Sequence, residues 1–269
     1  MIMKHCLEDT SITLISALIV LFTASCTVKE DRSECPCYLK VDFTDSNVVM
    51  DSAVLLGWQE DKVLDANVAA SGFKEGYTCT IPRGLLSFGA AKCPEEDMLD
   101  GHSVFIRPDQ QCDSLYAFCE NIDCRGETAR TEVVFHKQFA TVYLRMVSSV
   151  DIASQYDFIV ESNSCGIDIL TCKALEGYHK LYPVFGSEGR AVFRLLRQVD
   201  DSLHLTVLDE SGNGNSFPLG QYISSLGYDW DAADLSDIYI TLDIVQGEVS
   251  AGIAAWEQVS DFELNKVNL

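Results

Sequence analysis

Three groups of residues in this chain have types and spacings that could do chemistry. They are the thiol of Cys26, a set of further cysteines from Cys35 to Cys172, and carboxylates bunched at 229–237. Cys26 has the most specific setting. It closes Leu21-Phe22-Thr23-Ala24-Ser25-Cys26, directly after an apolar run of eleven residues from Ile12 to Phe22. A stable bilayer-crossing helix takes about 20 residues, so this run is too short to span. An apolar run followed by small residues at a cut site is the shape of a secretory signal. With Cys directly after the small pair, it is the shape of a bacterial lipoprotein signal. There the Cys thiol receives a diacylglycerol, and the new amino terminus is cut and acylated. The expectation is that residues 1–25 are removed and the chain is held at a membrane by Cys26. Thr23 stands where such signals usually carry Leu, and Glu8 and Asp9 offset Lys4 in the head segment. The plainer reading is an ordinary secretory signal with Cys26 an early thiol. Lipidation is preferred because the length and flanks suit secretion and no second apolar stretch follows.

Directly behind Cys26, Lys29-Glu30-Asp31 is similar to the Lys-then-two-acids tag that sends some Gram-negative lipoproteins to the outer face of the outer membrane. Three adjacent charges also suit any solvated linker. Placed behind a lipidation signal, they point to surface display.

The other cysteines are Cys35, Cys37, Cys79, Cys93, Cys112, Cys119, Cys124, Cys165 and Cys172, an odd set that leaves at least one thiol unpaired. Their spacing never gives the paired C-x-x-C of a structural zinc site, and Cys35-Pro36-Cys37 is too tight to chelate like one. Free Cys is a good small core residue, so several are expected to be packing. In the acidic segment Asp229-Trp230-Asp231-Ala232-Ala233-Asp234-Leu235-Ser236-Asp237, alternate carboxylates suggest a calcium loop. The turn glycine and terminal glutamate of an EF-hand loop are missing, and the preferred reading is an acidic turn. There Asp234 and Ser236 cap turns while Trp230 and Leu235 pack inward. His102, His136, His179 and His204 are widely spaced and read as surface or hydrogen-bonded residues. No H-E-x-x-H, G-x-S-x-G or phosphate-cradling G-x-x-x-x-G-K occurs. The expectation is a protein with no catalytic residue and no metal.

The elements that must position these groups read as strands almost throughout. Leu39, Val41 and Phe43 share one face of 38–43 and Lys40 and Asp42 the other, the period of a half-buried strand. Similar runs occupy 53–58, 77–81, 85–91, 103–106 and 115–118. A second series follows at 132–136, 139–146, 158–161, 167–170, 192–196, 203–208, 238–245 and 249–256. Gln246-Gly247-Glu248 suits a hairpin, and Glu210 to Asn215 a polar turn. Helical patterning is confined to 218–227. Many short strands with such turns indicate an all-β fold of antiparallel sandwiches. One sandwich takes about 100 residues, so two in tandem are expected. The polar stretch 122–130 separates the two series, giving a lipidated linker at 26–34, an N-terminal domain at 35–128 and a C-terminal domain at 129–269. A net charge of −22 repels nucleic acid phosphates and anionic head groups.

The strand segments together resemble FimB-like fimbrial anchor subunits, the accessory proteins of lipoprotein-derived (type V) fimbriae. The resemblance starts with Cys35-Pro36-Cys37-Tyr38-Leu39-Lys40-Val41-Asp42-Phe43, shortly after the lipidated Cys. It continues through Ile81-Pro82-Arg83-Gly84, Asp113-Ser114-Leu115-Tyr116-Ala117 and His136-Lys137-Gln138-Phe139-Ala140-Thr141-Val142. Later come Cys165-Gly166-Ile167-Asp168, Leu175-Glu176-Gly177 and Arg197-Gln198-Val199-Asp200. The longest match is Pro218-Leu219-Gly220-Gln221-Tyr222-Ile223, on through Gly227-Tyr228-Asp229-Trp230 to Leu235-Ser236-Asp237-Ile238-Tyr239-Ile240-Thr241-Leu242-Asp243, closing near Trp256-Glu257. The resemblance implies two transthyretin-like β-sandwiches and no enzymatic activity. It implies a place at the base of a fimbrium on the outer membrane, and a role in securing or limiting the fibre. The implied partners are a fimbrillin shaft subunit and, through the lipid, the outer membrane, with no nucleic acid and no small-molecule substrate. No cofactor is implied beyond the covalent diacylglycerol and N-acyl lipid on Cys26. Such fibres are similar to donor-strand polymers, in which one subunit's strand completes a neighbour's sheet. Phe262 and Leu264, then Val267 and Leu269, share strand faces in the last residues, making this tail a candidate partner-strand contact. The tail is equally well read as the last strand of its own domain. The alternative function is a surface binding module for a glycan or host protein, with an aromatic platform drawn from Trp58, Trp230 and Trp256.

Overall fold

A computed structural model describes residues 35–44, 50–95, 97–147, 156–186, 189–243 and 248–254. Cys26, the Lys29-Glu30-Asp31 tag, Trp256 and the tail bearing Phe262, Leu264, Val267 and Leu269 lie outside the described residues.

The first half of the chain supplies β1 (Cys37–Phe43), β2 (Ser52–Trp58), β3 (Lys62–Ala69), β4 (Tyr77–Ile81), β5 (Leu85–Lys92), β6 (Met98–Asp100), β7 (Ser103–Phe105), β8 (Tyr116–Asp123), β9 (Thr128–Val133) and β10 (His136–Lys137). One sheet runs β4-β1-β9 and the other β10-β8-β5-β2-β3. Leu39 and Val41 of β1 are fully buried and meet Leu55, Leu86 and Phe88 from the facing sheet. The alternation along β1 is the period of two written in its sequence.

The second half supplies β11 (Phe139–Met146), β12 (Tyr156–Asp168), β13 (Lys173–Leu181), β14 (Arg190–Leu196), β15 (His204–Asp209), β16 (Gly214–Phe217), a short helix α1 (Leu219–Ser225), β17 (Asp237–Asp243) and β18 (Glu248–Ala254). One sheet runs β14-β11-β17-β18 and the other β16-β15-β12-β7-β6, with β13 on the far edge of β12. Their shared core includes Val142, Leu144, Phe158, Val160, Leu205 and Ile240. The fold is all-β with mostly antiparallel pairing, and each half contains one parallel pair, β1 with β9 and β11 with β17.

Two features tie the halves together. The β6–β7 hairpin belongs to the first half by sequence but pairs with β12, Gly166 opposite Phe105 and Asp168 opposite Ser103. A third core then forms between Val54, Leu56 and Ala91 of β2 and β5, Val104 of β7, and Ile167 and Ile169 at the end of β12. This explains why β2 reads Ala53-Val54-Leu55-Leu56 without a polar break. Both of its faces are buried, as in a central strand covered on two sides. The described residues from Pro36 onward pack as one unit.

Two expectations meet a different outcome. The expected boundary between 128 and 129 falls inside β9, which pairs with β1 from Tyr38↔Thr128 to Phe43↔Val133. The polar stretch at 122–130 is the end of β8, a turn closed by Arg125 on Asp123 at 2.5 Å, and the start of β9. A tight polar turn and a linker have the same composition, so sequence did not separate them. The strands expected at 158–161 and 167–170 are one continuous β12, and Ser162 and Ser164 occupy its inward positions. Ser164 Oγ accepts the Val199 N–H at 2.9 Å, so a polar side chain fills a place where alternation calls for an apolar one.

Candidate functional site

The chain passes from the first half's sheet to the second's within four residues. His136 pairs with Ala117 of β8, while Phe139 pairs with Leu196 of β14. Between them Lys137 and Gln138 are buried, which is uncommon for Lys unless it is paired. Lys137 Nζ forms an ion pair with Asp237 and lies 4.9 Å from the centre of the Phe139 ring. Asp237 also accepts the Thr141 N–H at 3.0 Å. Asp234 accepts the Lys137 N–H at 2.7 Å and faces His136 Nδ1 at 2.9 Å.

Arg197, buried beside them, satisfies its guanidinium without a carboxylate. Nε donates to Gln138 Oε1 at 2.8 Å, Nη1 to the Trp230 carbonyl at 2.5 Å and Nη2 to the Ala233 carbonyl at 3.0 Å. Burial holds its pKa below the usual guanidinium value. The acidic loop is therefore a clasp that lies over the passage between the halves. Asp234 binds the facing chain and not its own turn, contrary to the capping expected for it. Leu235 is fully buried as expected, and Trp230 is half-buried against Tyr228 with ring centres 4.5 Å apart. Among the described residues no group of three or more His, Cys, Asp and Glu side chains could hold a metal ion.

Three segments singled out by the sequence resemblance, 136–142, 197–200 and 227–243, meet at this passage. Nothing in their separate patterns announced that they would touch. The signal available was charge inside apolar runs: Arg197 after Leu195-Leu196, and Lys137 next to Phe135 and Phe139.

Other expected or possible surfaces are placed as follows. Trp58 is half-buried and set edge-on to His102, ring centres 5.1 Å apart. Neither Trp58 nor Trp230 is fully exposed. Tyr182, Val184 and Val192 are exposed and line an open groove of about 400 Å³ with Asp109, Gln111 and Arg194. Among the described residues no helix is long and apolar enough to cross a membrane.

No protein-family model and no curated protein matches this chain. Solved structures do. The fimbrial anchor protein Mfa2 of Porphyromonas gingivalis superposes with a TM-score of 0.58 at 13% identity, covering 82% of this chain and 98% of that one. A Bacteroides thetaiotaomicron protein proposed to bind polysaccharide gives a TM-score of 0.62 at 11% identity, covering 86% and 98%. A candidate adhesin from Bacteroides ovatus gives 0.59 at 12%, covering 87% and 96%. The chain thus shares its fold along nearly the full length of these proteins. The likeness to fimbrial anchors read from the strand segments has its counterpart in the fold.

Proposed function

We propose that this chain is a non-enzymatic outer-membrane lipoprotein that anchors a fimbrium at the cell surface and terminates or limits its growth. The observation that carries the reading is one combination. A fold shared end to end with a fimbrial anchor begins at Cys37, shortly after a Cys26 set in a lipidation signal. In this reading Cys26 holds the diacylglycerol and N-acyl lipid, and Lys29-Glu30-Asp31 directs the protein outward. Its partner is a fimbrillin shaft subunit, met by strand complementation through the tail that carries Phe262, Leu264, Val267 and Leu269. A subunit tethered at its amino end does not release that end to a neighbour, so it stops the fibre there.

A surface binding module is the second reading. It is favoured by the adhesin and polysaccharide-binding proposals for two proteins of this fold, and by the exposed Tyr182 beside an open groove. Deleting the gene separates the two. Fibres shed into the medium or grown abnormally long support the anchor. Unchanged fibres with lost adhesion to a glycan or host surface support the binding module.

A further inference from the structure

We propose that Cys119 and Cys172 are a reactive thiol pair that closes into a disulfide, tying the β5–β8 sheet to the turn between β12 and β13. Backbone geometry brings them together. Cys119 stands opposite Gly89 in the β5–β8 ladder. Gly89 has no side chain, and the Ile169 backbone fills that space so closely that a Cβ there would be 2.6 Å from its carbonyl oxygen. Three residues further on, Cys172 takes a left-handed φ of 53°, uncommon outside glycine. Its thiol points to the Ile169 carbonyl oxygen, with Sγ 3.9 Å from it. Both side chains line one cavity of about 510 Å³, and both are free thiols.

The environment assigns them different roles. The neighbouring Cys172 holds the Cys119 thiol below the usual thiol range, and Arg197 and His136 favour its thiolate while burial and Asp168 oppose it. Lys173 and Asp231 also line the cavity. The proximity of Cys119, with burial, raises Cys172 above the usual thiol range. Cys119 is the attacking group and Cys172 the resolving one.

The co-reactant is a small disulfide, RSSR. The Cys119 thiolate attacks one of its sulfurs, the S–S bond breaks, and the electron pair leaves with RS⁻, which takes a proton from solvent. Cys172 then loses its proton to solvent and attacks Cys119 Sγ, expelling the second RS⁻. Two protein thiols are oxidised and one RSSR is reduced to two RSH. A thiol held below its usual range carries more thiolate at pH 7, which outweighs its weaker nucleophilicity and makes Cys119 the faster to attack. Cys37 and Cys124 form an internal comparison. Both are fully buried, and burial, with Cys37 beside it, pushes Cys124 well above the usual thiol range.

The test is to treat the reduced full chain with oxidised glutathione at pH 7, block free thiols with iodoacetamide, and map peptides by mass spectrometry. Fragmentation must separate Cys119 from Cys112 and Cys124, and Cys172 from Cys165. The expected product is a Cys119–Cys172 link that forms before any other. Cys172→Ser is expected to accumulate glutathione on Cys119, at least about threefold more than Cys119→Ser accumulates on Cys172. The wild-type map needs no variant to fold. No link between these two residues, an earlier link at Cys37–Cys124, or equal adducts in the two variants would overturn the proposal.

Discussion

A Cβ on Gly89 would stand 2.6 Å from the carbonyl oxygen of Ile169 and 2.7 Å from its Cγ2. The close approach of β5 to the end of β12 therefore depends on a missing side chain. Gly89→Ala must push backbone away from backbone, and overpacking of this kind costs about 1–3 kcal/mol. At Gly72 the nearest atom is a side-chain carbon at 3.6 Å, so Gly72→Ala is expected to be close to neutral. Urea unfolding of the two variants checks this. Equal midpoints would show that the approach is not tight.

Asp97 gives the stability a pH dependence. Burial pushes its carboxyl up to about 6, and the nearby Asp113 charge adds to the rise, although Asp97 Oδ2 accepts the Asp113 N–H at 2.9 Å. The folded state thus holds a proton that the unfolded chain releases near pH 4. Its contribution is fully present below about pH 4 and is lost as pH rises through about 6. Asp97→Asn keeps an acceptor oxygen without the charge. It is expected to raise stability at pH 7 by up to about 3 kcal/mol and to flatten the slope between about pH 4 and 6. Chemical denaturation at a series of pH values measures both, and an unchanged slope would contradict the assignment.

Lys137 and Asp237 are worth more as a pair than apart. Removing one partner of a buried ion pair leaves an uncompensated charge, which costs about 3–5 kcal/mol. Lys137→Met is expected in that range, and Lys137→Met with Asp237→Asn together below the sum of the single changes. The double-mutant cycle reads the coupling from unfolding midpoints. Additive losses would mean that Thr141 and not Lys137 accounts for the role of Asp237.

Cys26→Ser addresses the tether. The variant is expected to move from the detergent phase to the aqueous phase on Triton X-114 partitioning, and its amino-terminal peptide to lose the lipid mass. A wild-type protein already in the aqueous phase would remove the lipid from the account.

Much of the fold was legible because β1, β2, β5, β11, β14 and β17 carry either a period of two or an unbroken apolar run. β3, β6 and β13 were not legible. β3 and β6 lie at sheet edges with few buried positions, and β13 sets charged and polar residues on most of its length. Their pairing comes from backbone groups offered by β2, β7 and β12, which no side-chain pattern records. The absence of catalytic motifs was read directly, but the clasp at 229–237 was seen only as an acidic turn. Its partners Lys137, Gln138 and Arg197 are distant in sequence, and a carboxylate does not reveal which backbone it will bind.

The β6–β7 hairpin sets an order on how this chain is made. Strands β2 and β5 are complete long before β12 is synthesised, yet the core that Val54, Leu56 and Ala91 share with Val104 is closed only when Ile167 and Ile169 arrive. The first half thus starts with one core incomplete. It becomes a finished structure only when a segment more than sixty residues downstream of the hairpin reaches it.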